Sequence, residues 1–172
     1  MLRKEFPENI SYSISFTTRK PRGGEVNGKD YFFISDEEFK AKIQAEEFLE
    51  YAKVFDHYYG TSKKVIDEEC QKGRHVLLVI DTQGALQLKK KIDGIFVFIS
   101  PPSVEELARR LRARKTDSEE AIQKRLSWAE KEIEMAKHYD YNIVNLHLKN
   151  AYDVLRSIVI AEEHRQRGKQ NG

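Results

Sequence analysis

His75-Val76-Leu77-Leu78-Val79-Ile80-Asp81-Thr82-Gln83-Gly84 is an apolar run that ends in one acid and a polar turn. A run without alternation suits a parallel strand buried on both faces, and the pattern returns at Ile95-Phe96-Val97-Phe98-Ile99-Ser100. Helical stretches surround these runs. Ser35 with Glu38 forms a capping box that opens a helix through about Gln44, with Phe39 and Ile43 on its buried face. A second helix spans 63–71 and closes at Gly73. Pro101-Pro102 stop the second apolar run, and Ser103 to Glu106 makes another capping box for a helix through about Arg112. Thr116-Asp117-Ser118-Glu119 starts a longer one, with Ala121, Ile122, Leu126, Ala129, Ile133 and Ala136 at helical spacing. A short strand at 141–145, a closing helix at 151–164 and a polar tail at 166–172 complete that half. Upstream, residues 11–18 alternate as a half-buried strand, Arg19-Lys20-Pro21-Arg22-Gly23-Gly24 breaks it, and Tyr31 to Ile34 is the next strand. Strands alternating with helices predict an α/β fold with a parallel sheet. Ligands of such sheets lie beyond the carboxyl ends of the strands, so Asp81 to Gly84 is the first place to look, although an Asp there also serves as an ordinary turn residue.

The 172 residues, 40% hydrophobic and 34% charged, suffice for one core, and one domain over 1–172 is expected. Thirty Lys plus Arg against 28 Asp plus Glu leave a net charge of +2, which gives no bulk field toward nucleic acid or a membrane surface. The one cysteine, Cys70, excludes an intrachain disulfide framework and fits a reducing cytoplasm. The apolar runs fall far short of the roughly 20 residues that a bilayer needs. The five histidines lack metal-ligand spacing, so no resident metal site is expected, and Trp128 between Leu126 and Ala129 reads as packing.

Three polar clusters carry candidate chemistry. Arg19, Lys20 and Arg22 beside a glycine turn and Tyr31 offer guanidinium forks and a phenol, the donors a phosphate dianion needs; composition alone favours a solvated basic loop. Glu50-Tyr51 with His57-Tyr58-Tyr59-Gly60-Thr61-Ser62 gathers a carboxylate, phenols and hydroxyls. Glu50 in its apolar setting could accept the adjacent N–H groups of a base such as guanine, against the plainer reading of an acid facing water. Arg109, Arg110, Arg112, Arg114, Lys115 and Arg125 could stabilise a triphosphate, although helix-surface arginines are usually solvated. Gly23 to Lys29 imitates a phosphate loop, but Asp30 stands where Ser or Thr should hold magnesium and the stretch joins two strands. No Gly-x-x-x-x-Gly-Lys-[Ser/Thr] sequence occurs in the chain.

Ser15-Phe16-Thr17-Thr18-Arg19-Lys20-Pro21-Arg22-Gly23-Gly24-Glu25-Val26-Asn27-Gly28-Lys29-Asp30-Tyr31 resembles the acceptor-binding signature of the guanylate kinase family. The resemblance continues through Phe48-Leu49-Glu50-Tyr51, Tyr58-Tyr59-Gly60-Thr61, Ile80 to Gly84, Pro101-Pro102-Ser103 and Asn142 to Asn145, and so covers nearly the whole chain. It implies a P-loop-kinase-like parallel sheet flanked by helices, with a GMP-binding subdomain over 31–62 and a lid over 112–118. It also implies transfer of the γ-phosphoryl of ATP, with Mg2+, to GMP. Ser15, Arg19, Arg22, Tyr31 and Tyr59 would hold the GMP phosphate, and Glu50, Thr61 and Asp81 would read the guanine. Arg110, Arg114 and Arg125 would approach the phosphates as catalytic cations, Asn145 would sit near the adenine, and Asp81 would also touch the magnesium shell. Family members open with a strand, a glycine-rich phosphate loop and a helix, whereas Met1 to Pro7 resembles only the end of that helix. The expectation is therefore that Met1 is an internal methionine of a longer protein and that these residues alone have negligible kinase activity. A GMP- or peptide-binding module of the same fold without catalysis is the competing expectation.

Overall fold

The computed structural model describes residues 1–113 and 118–166. The chain forms two compact units, Met1–Gly94 and Ile95–Gly172. The first contains α1 (Leu2–Glu5), β1 (Ile10–Tyr12), β2 (Phe16–Thr17), β3 (Phe32–Phe33), α2 (Asp36–Gln44), β4 (Phe48–Val54), β5 (His57–Ser62), α3 (Lys63–Gln71), β6 (His75–Leu77) and α4 (Thr82–Lys89). Strand β1 pairs in parallel with β6, and a second sheet runs in the order β3-β2-β5-β4, antiparallel except for its β2–β3 pair.

The alternating stretch 11–18 is thus two strands in two sheets. Ser13 donates its N–H to Leu77 at 3.2 Å, the last bond toward β6, before the chain crosses to β5 through Phe16 and Thr17. Period-2 alternation reports which side chains share a face; it does not reveal that the backbone has changed partners. The run 75–81 is also shorter as a strand than expected, because β1 accompanies it only to Leu77. Burial on both faces is not observed: Val79 is 65% exposed. The expected strand at Tyr31 to Ile34 narrows to β3.

The helices follow their local signals more closely. Ser35 Oγ accepts the Glu38 N–H at 3.1 Å while Glu38 Oε2 accepts the Ser35 N–H at 2.8 Å, the reciprocal box read from the sequence. Phe39 on α2 is fully buried and stacks on Phe48 and Tyr58, with ring centroids 4.5 and 5.3 Å away. Removing the cap leaves the first turn's donors unpaired, so Ser35→Ala is expected to cost about 1 kcal/mol in a denaturant-unfolding measurement. An unchanged midpoint would show that α2 is held by Phe39 alone.

The second unit holds β7 (Val97–Ser100), α5 (Val104–Ala113), α6 (Glu119–Met135), a 3₁₀ turn at Ala136–His138, β8 (Tyr141–Val144) and α7 (Leu148–Glu163). Strands β7 and β8 are parallel, and α7 packs Ala151 and Ile158 with Ile143. Ser118 Oγ caps α6 by accepting the Ala121 N–H at 3.3 Å. At α5 the expected capping box is half made. Ser103 Oγ accepts the Glu106 N–H at 3.2 Å, but the Glu106 carboxylate turns to Arg109 and Arg110, both at 2.7 Å. Ile99, 51% exposed, again departs from the double burial expected of the run 95–100. Helix α7 begins at Leu148, three residues before the expected 151, after His147, whose side chain makes no cap. Among the described residues no helix is long and apolar enough to cross a membrane.

Candidate acceptor site

The β4–β5 hairpin sets the geometry. Along β5, Tyr59 and Thr61 share one face, about 7 Å apart, and Gly60 points to the other. Behind Gly60 lie the Phe39 and Phe48 rings, both 3.0 Å from where a Cβ would stand, so only glycine lets the sheet settle on the aromatic core. The register then slips by one residue on β4, with Phe48 opposite Ser62 and Glu50 opposite Thr61. Without this bulge Phe48 and Glu50, two residues apart, would point the same way. With it, Phe48 stays in the core while Glu50 turns to the face of Thr61 and Tyr59.

Glu50 is 4% exposed, and its Oε1 accepts the Thr61 hydroxyl at 2.6 Å. Burial pushes the Glu50 carboxyl up; the Thr61 bond opposes that rise, and the Asp81 charge reinforces it. Asp81 caps α4, with Oδ1 accepting the Gly84 N–H at 2.8 Å, and its carboxyl too is raised by burial. Its turn role and its place beside Glu50 are therefore compatible. A Cβ on Gly84 would overlap the Glu50 carboxylate and stand 3.3 Å from Asp81 Oδ1. The absent side chain is what lets α4 carry Asp81 up to Glu50. Gln83 and Gln87 tie α4 to the Lys53 and Tyr51 carbonyls of β4, at 3.5 and 3.0 Å.

A second cluster forms at the other end of the face. The Arg19 guanidinium lies over the Tyr31 ring, 5.4 Å from its centroid, and the nearby Tyr59 phenol helps to hold its charge. The Tyr31 and Tyr59 rings meet edge to face at 6.0 Å. Burial pushes the Tyr31 phenol up, keeping it a neutral donor. The parallel β2–β3 register brings Ser15 alongside, its carbonyl accepting the Phe32 N–H at 2.9 Å. Arg22 joins through its backbone N–H, which donates to Glu25 at 2.7 Å.

All the residues expected to bind the acceptor thus fall in Met1–Gly94, in one carboxylate cluster and one cationic, phenolic cluster linked by β5. In the second unit, Arg110 donates to Glu106 at 2.7 Å and to the Leu146 carbonyl at 3.3 Å. That brings it next to Asn145, whose N–H is held by the Ser100 carbonyl at 2.8 Å. Arg125 lies on α6, which packs against α5. Arg114 and most of the expected lid lie outside the described residues, as does the tail from 167 onward. Sequence reasoning missed Glu25, which holds Arg19, and Gly84, which makes room for Glu50. An acid within a basic loop was the available signal for the first; nothing local marks the second.

A family model described as guanylate kinase matches residues 1–162. The guanylate kinase of Protochlamydia amoebophila is 59% identical over 165 residues, covering 96% of this chain and 83% of that one. That of Caldanaerobacter subterraneus subsp. tengcongensis is 48% identical over 166 residues, covering 96% and 80%. The crystal structure of guanylate kinase from Anaplasma phagocytophilum superposes with a TM-score of 0.81 at 37% identity, covering 96% of this chain and 82% of that one.

Proposed function

The chain belongs to the guanylate kinase family, and from that premise we propose that it is a nucleoside monophosphate kinase whose unit Met1–Gly94 binds GMP as the acceptor of a phosphoryl group from ATP. The observation that carries the reading is the buried Glu50 carboxylate, bonded to Thr61 and set beside Asp81. Guanine presents N1–H and the 2-amino group side by side, two donors that a carboxylate can accept together. Adenine offers an acceptor at the same place, which would face Glu50 lone pair to lone pair. Because Glu50 is already out of water, its hydrogen bonds to the base are made without a further desolvation cost, which favours selectivity.

The acceptor phosphate falls to Arg19, Arg22, Tyr31, Tyr59 and Ser15. In the transfer, a phosphate oxygen of GMP attacks the γ-phosphorus of ATP, a new O–P bond forms, and the bond to the departing ADP breaks. The nucleophile is already an anion and needs no general base. What it needs is relief from repulsion between two phosphate groups, and the two guanidinium groups supply that. Arg110, Arg114, Arg125 and Asn145 are the residues we assign to the ATP side, and 31–62 and 112–118 to the acceptor subdomain and the lid. Magnesium would enter as an ion carried by the phosphates of ATP, which keep it with one or two carboxylates at most from the protein. Bound to the phosphates, it would neutralise their charge, and we assign Asp81 to its water shell. A cytoplasmic setting agrees with a free, exposed Cys70.

Acceptor binding tests these residues directly. Tyr59→Phe and Arg22→Met are each expected to weaken GMP about tenfold or more while leaving guanosine unchanged, read by competitive displacement. Equal losses for GMP and guanosine would remove the phosphate from this cluster.

A further inference from the structure

Glu25, inside the stretch Ser15–Tyr31 but given no role by the sequence, grips the Arg19 side chain and the Arg22 backbone. Its Oε1 accepts from Arg19 Nη2 at 2.8 Å and its Oε2 from Arg19 Nη1 at 3.0 Å, fork to fork, and Oε2 also takes the Arg22 backbone N–H at 2.7 Å. The Arg19 and Glu25 side chains are 11% and 20% exposed, so the pair is largely shielded. Arg19 Nη1 also donates to the Lys20 carbonyl at 2.8 Å, and the guanidinium lies over the adjoining Tyr31 and Phe33 rings, 5.4 and 5.8 Å from their centroids. Of the five N–H donors of a guanidinium, three are accounted for by Glu25 and Lys20. Two are left for ligand oxygens.

We propose that Glu25 is a positioning residue for the acceptor phosphate: it holds the Arg19 fork over Tyr31 and Phe33, so that Arg19 meets the phosphate already oriented, and it stays in place when GMP binds. This rests on the assignment of the Arg19–Tyr59 cluster to the phosphate of GMP. An unsupported Arg samples many rotamers and gives up that freedom on binding; Glu25 imposes the loss beforehand, in the free protein. The Arg22 N–H makes Glu25 part of the loop itself, which distinguishes it from an anion that merely fills an empty site. Its proximity to the phosphate lowers the local positive charge, so geometry and charge make opposite predictions for its removal.

Calorimetric titration with GMP of the wild-type chain, Glu25→Gln, Glu25→Asp, Arg19→Met and the Arg19→Met/Glu25→Gln double variant decides between them. Glu25→Gln loses one arm of the fork and is expected to weaken GMP about tenfold or more. Glu25→Asp keeps the charge but withdraws it by one methylene, and weakens GMP as well. If Glu25 acts through Arg19, the Gln substitution has no further effect once Arg19 is Met. Undiminished or tighter GMP binding by Glu25→Gln or Glu25→Asp would overturn the proposal, the latter pattern marking Glu25 as a competitor of the phosphate. Full additivity in the double variant would overturn it too, by reducing Glu25 to general support of the loop. A wild-type chain that binds no GMP would instead overturn the site assignment, and this inference with it.

Discussion

Glu50→Gln is expected to lower GMP affinity by about a hundredfold or more while making the ligand-free protein more stable at neutral pH. The first effect follows from donor and acceptor counting: a carboxylate receives both guanine donors, whereas the amide offers one acceptor and one donor and leaves a base N–H facing an N–H. The second follows from burial. The Glu50 carboxyl is raised above its ordinary 4.5 by burial and by Asp81 beyond the lowering that Thr61 contributes. A carboxyl whose folded pKa lies above its unfolded one binds more protons in the folded state. Its destabilising effect is therefore absent below about pH 4.5, grows as pH rises through the folded value, and is complete above it. Gln at 50 removes that contribution and still accepts the Thr61 hydroxyl. Thermal melts of both forms from pH 4 to pH 8 should diverge with rising pH, the variant melting higher. A variant that melts lower at pH 7, or that binds GMP as the parent does, contradicts the assignment of Glu50.

Gly84→Ala should be nearly as damaging although it adds only a methyl group. On helix propensity alone, alanine inside α4 would gain about 0.5–1 kcal/mol. Here the new Cβ overlaps the Glu50 carboxylate and crowds Asp81 Oδ1 at 3.3 Å, and overpacking of this kind costs about 1–3 kcal/mol. Crowding outweighs propensity. The relief available is for Glu50 to swing away, which breaks its 2.6 Å bond to Thr61 and displaces the acceptor that the base requires. GMP affinity is expected to fall by about tenfold or more, together with a lower denaturant midpoint. A stabilised variant with intact GMP binding would mean that α4 and β4 do not meet as described.

What the sequence reveals depends on how local the signal is. The α2 box is written in Ser35 and Glu38, and α3 has the bounds its sequence predicts, closed by Gly73 at φ 74° although Ser62 makes no side-chain cap. The β4–β5 hairpin passed unnoticed as a hairpin. Its turn residue Phe55, at φ 54°, occupies a conformation usually signalled by Gly or Asn, so no turn chemistry marked the reversal. The change of sheet at 13–15 depends on partners more than 40 residues away, beyond the reach of alternation. For the site, residue types were legible: Arg19, Tyr31, Glu50 and Asp81 carry the chemistry in their side chains. Their arrangement was not, since it depends on a bulge that turns Glu50 and on two glycines, Gly60 and Gly84, whose significance lies in what they leave room for.

The claim on which the rest depends is that Glu50, Thr61 and Asp81 select guanine while Arg19, Arg22, Tyr31 and Tyr59 hold the phosphate. Calorimetric titration of the 172-residue chain with GMP and, separately, with AMP tests it most directly. The account predicts one GMP per chain, bound at least about a hundredfold more tightly than AMP, because the phosphate contacts are common to both ligands and the base contacts are not. Equal affinity for the two nucleotides, or no binding of GMP, would contradict it.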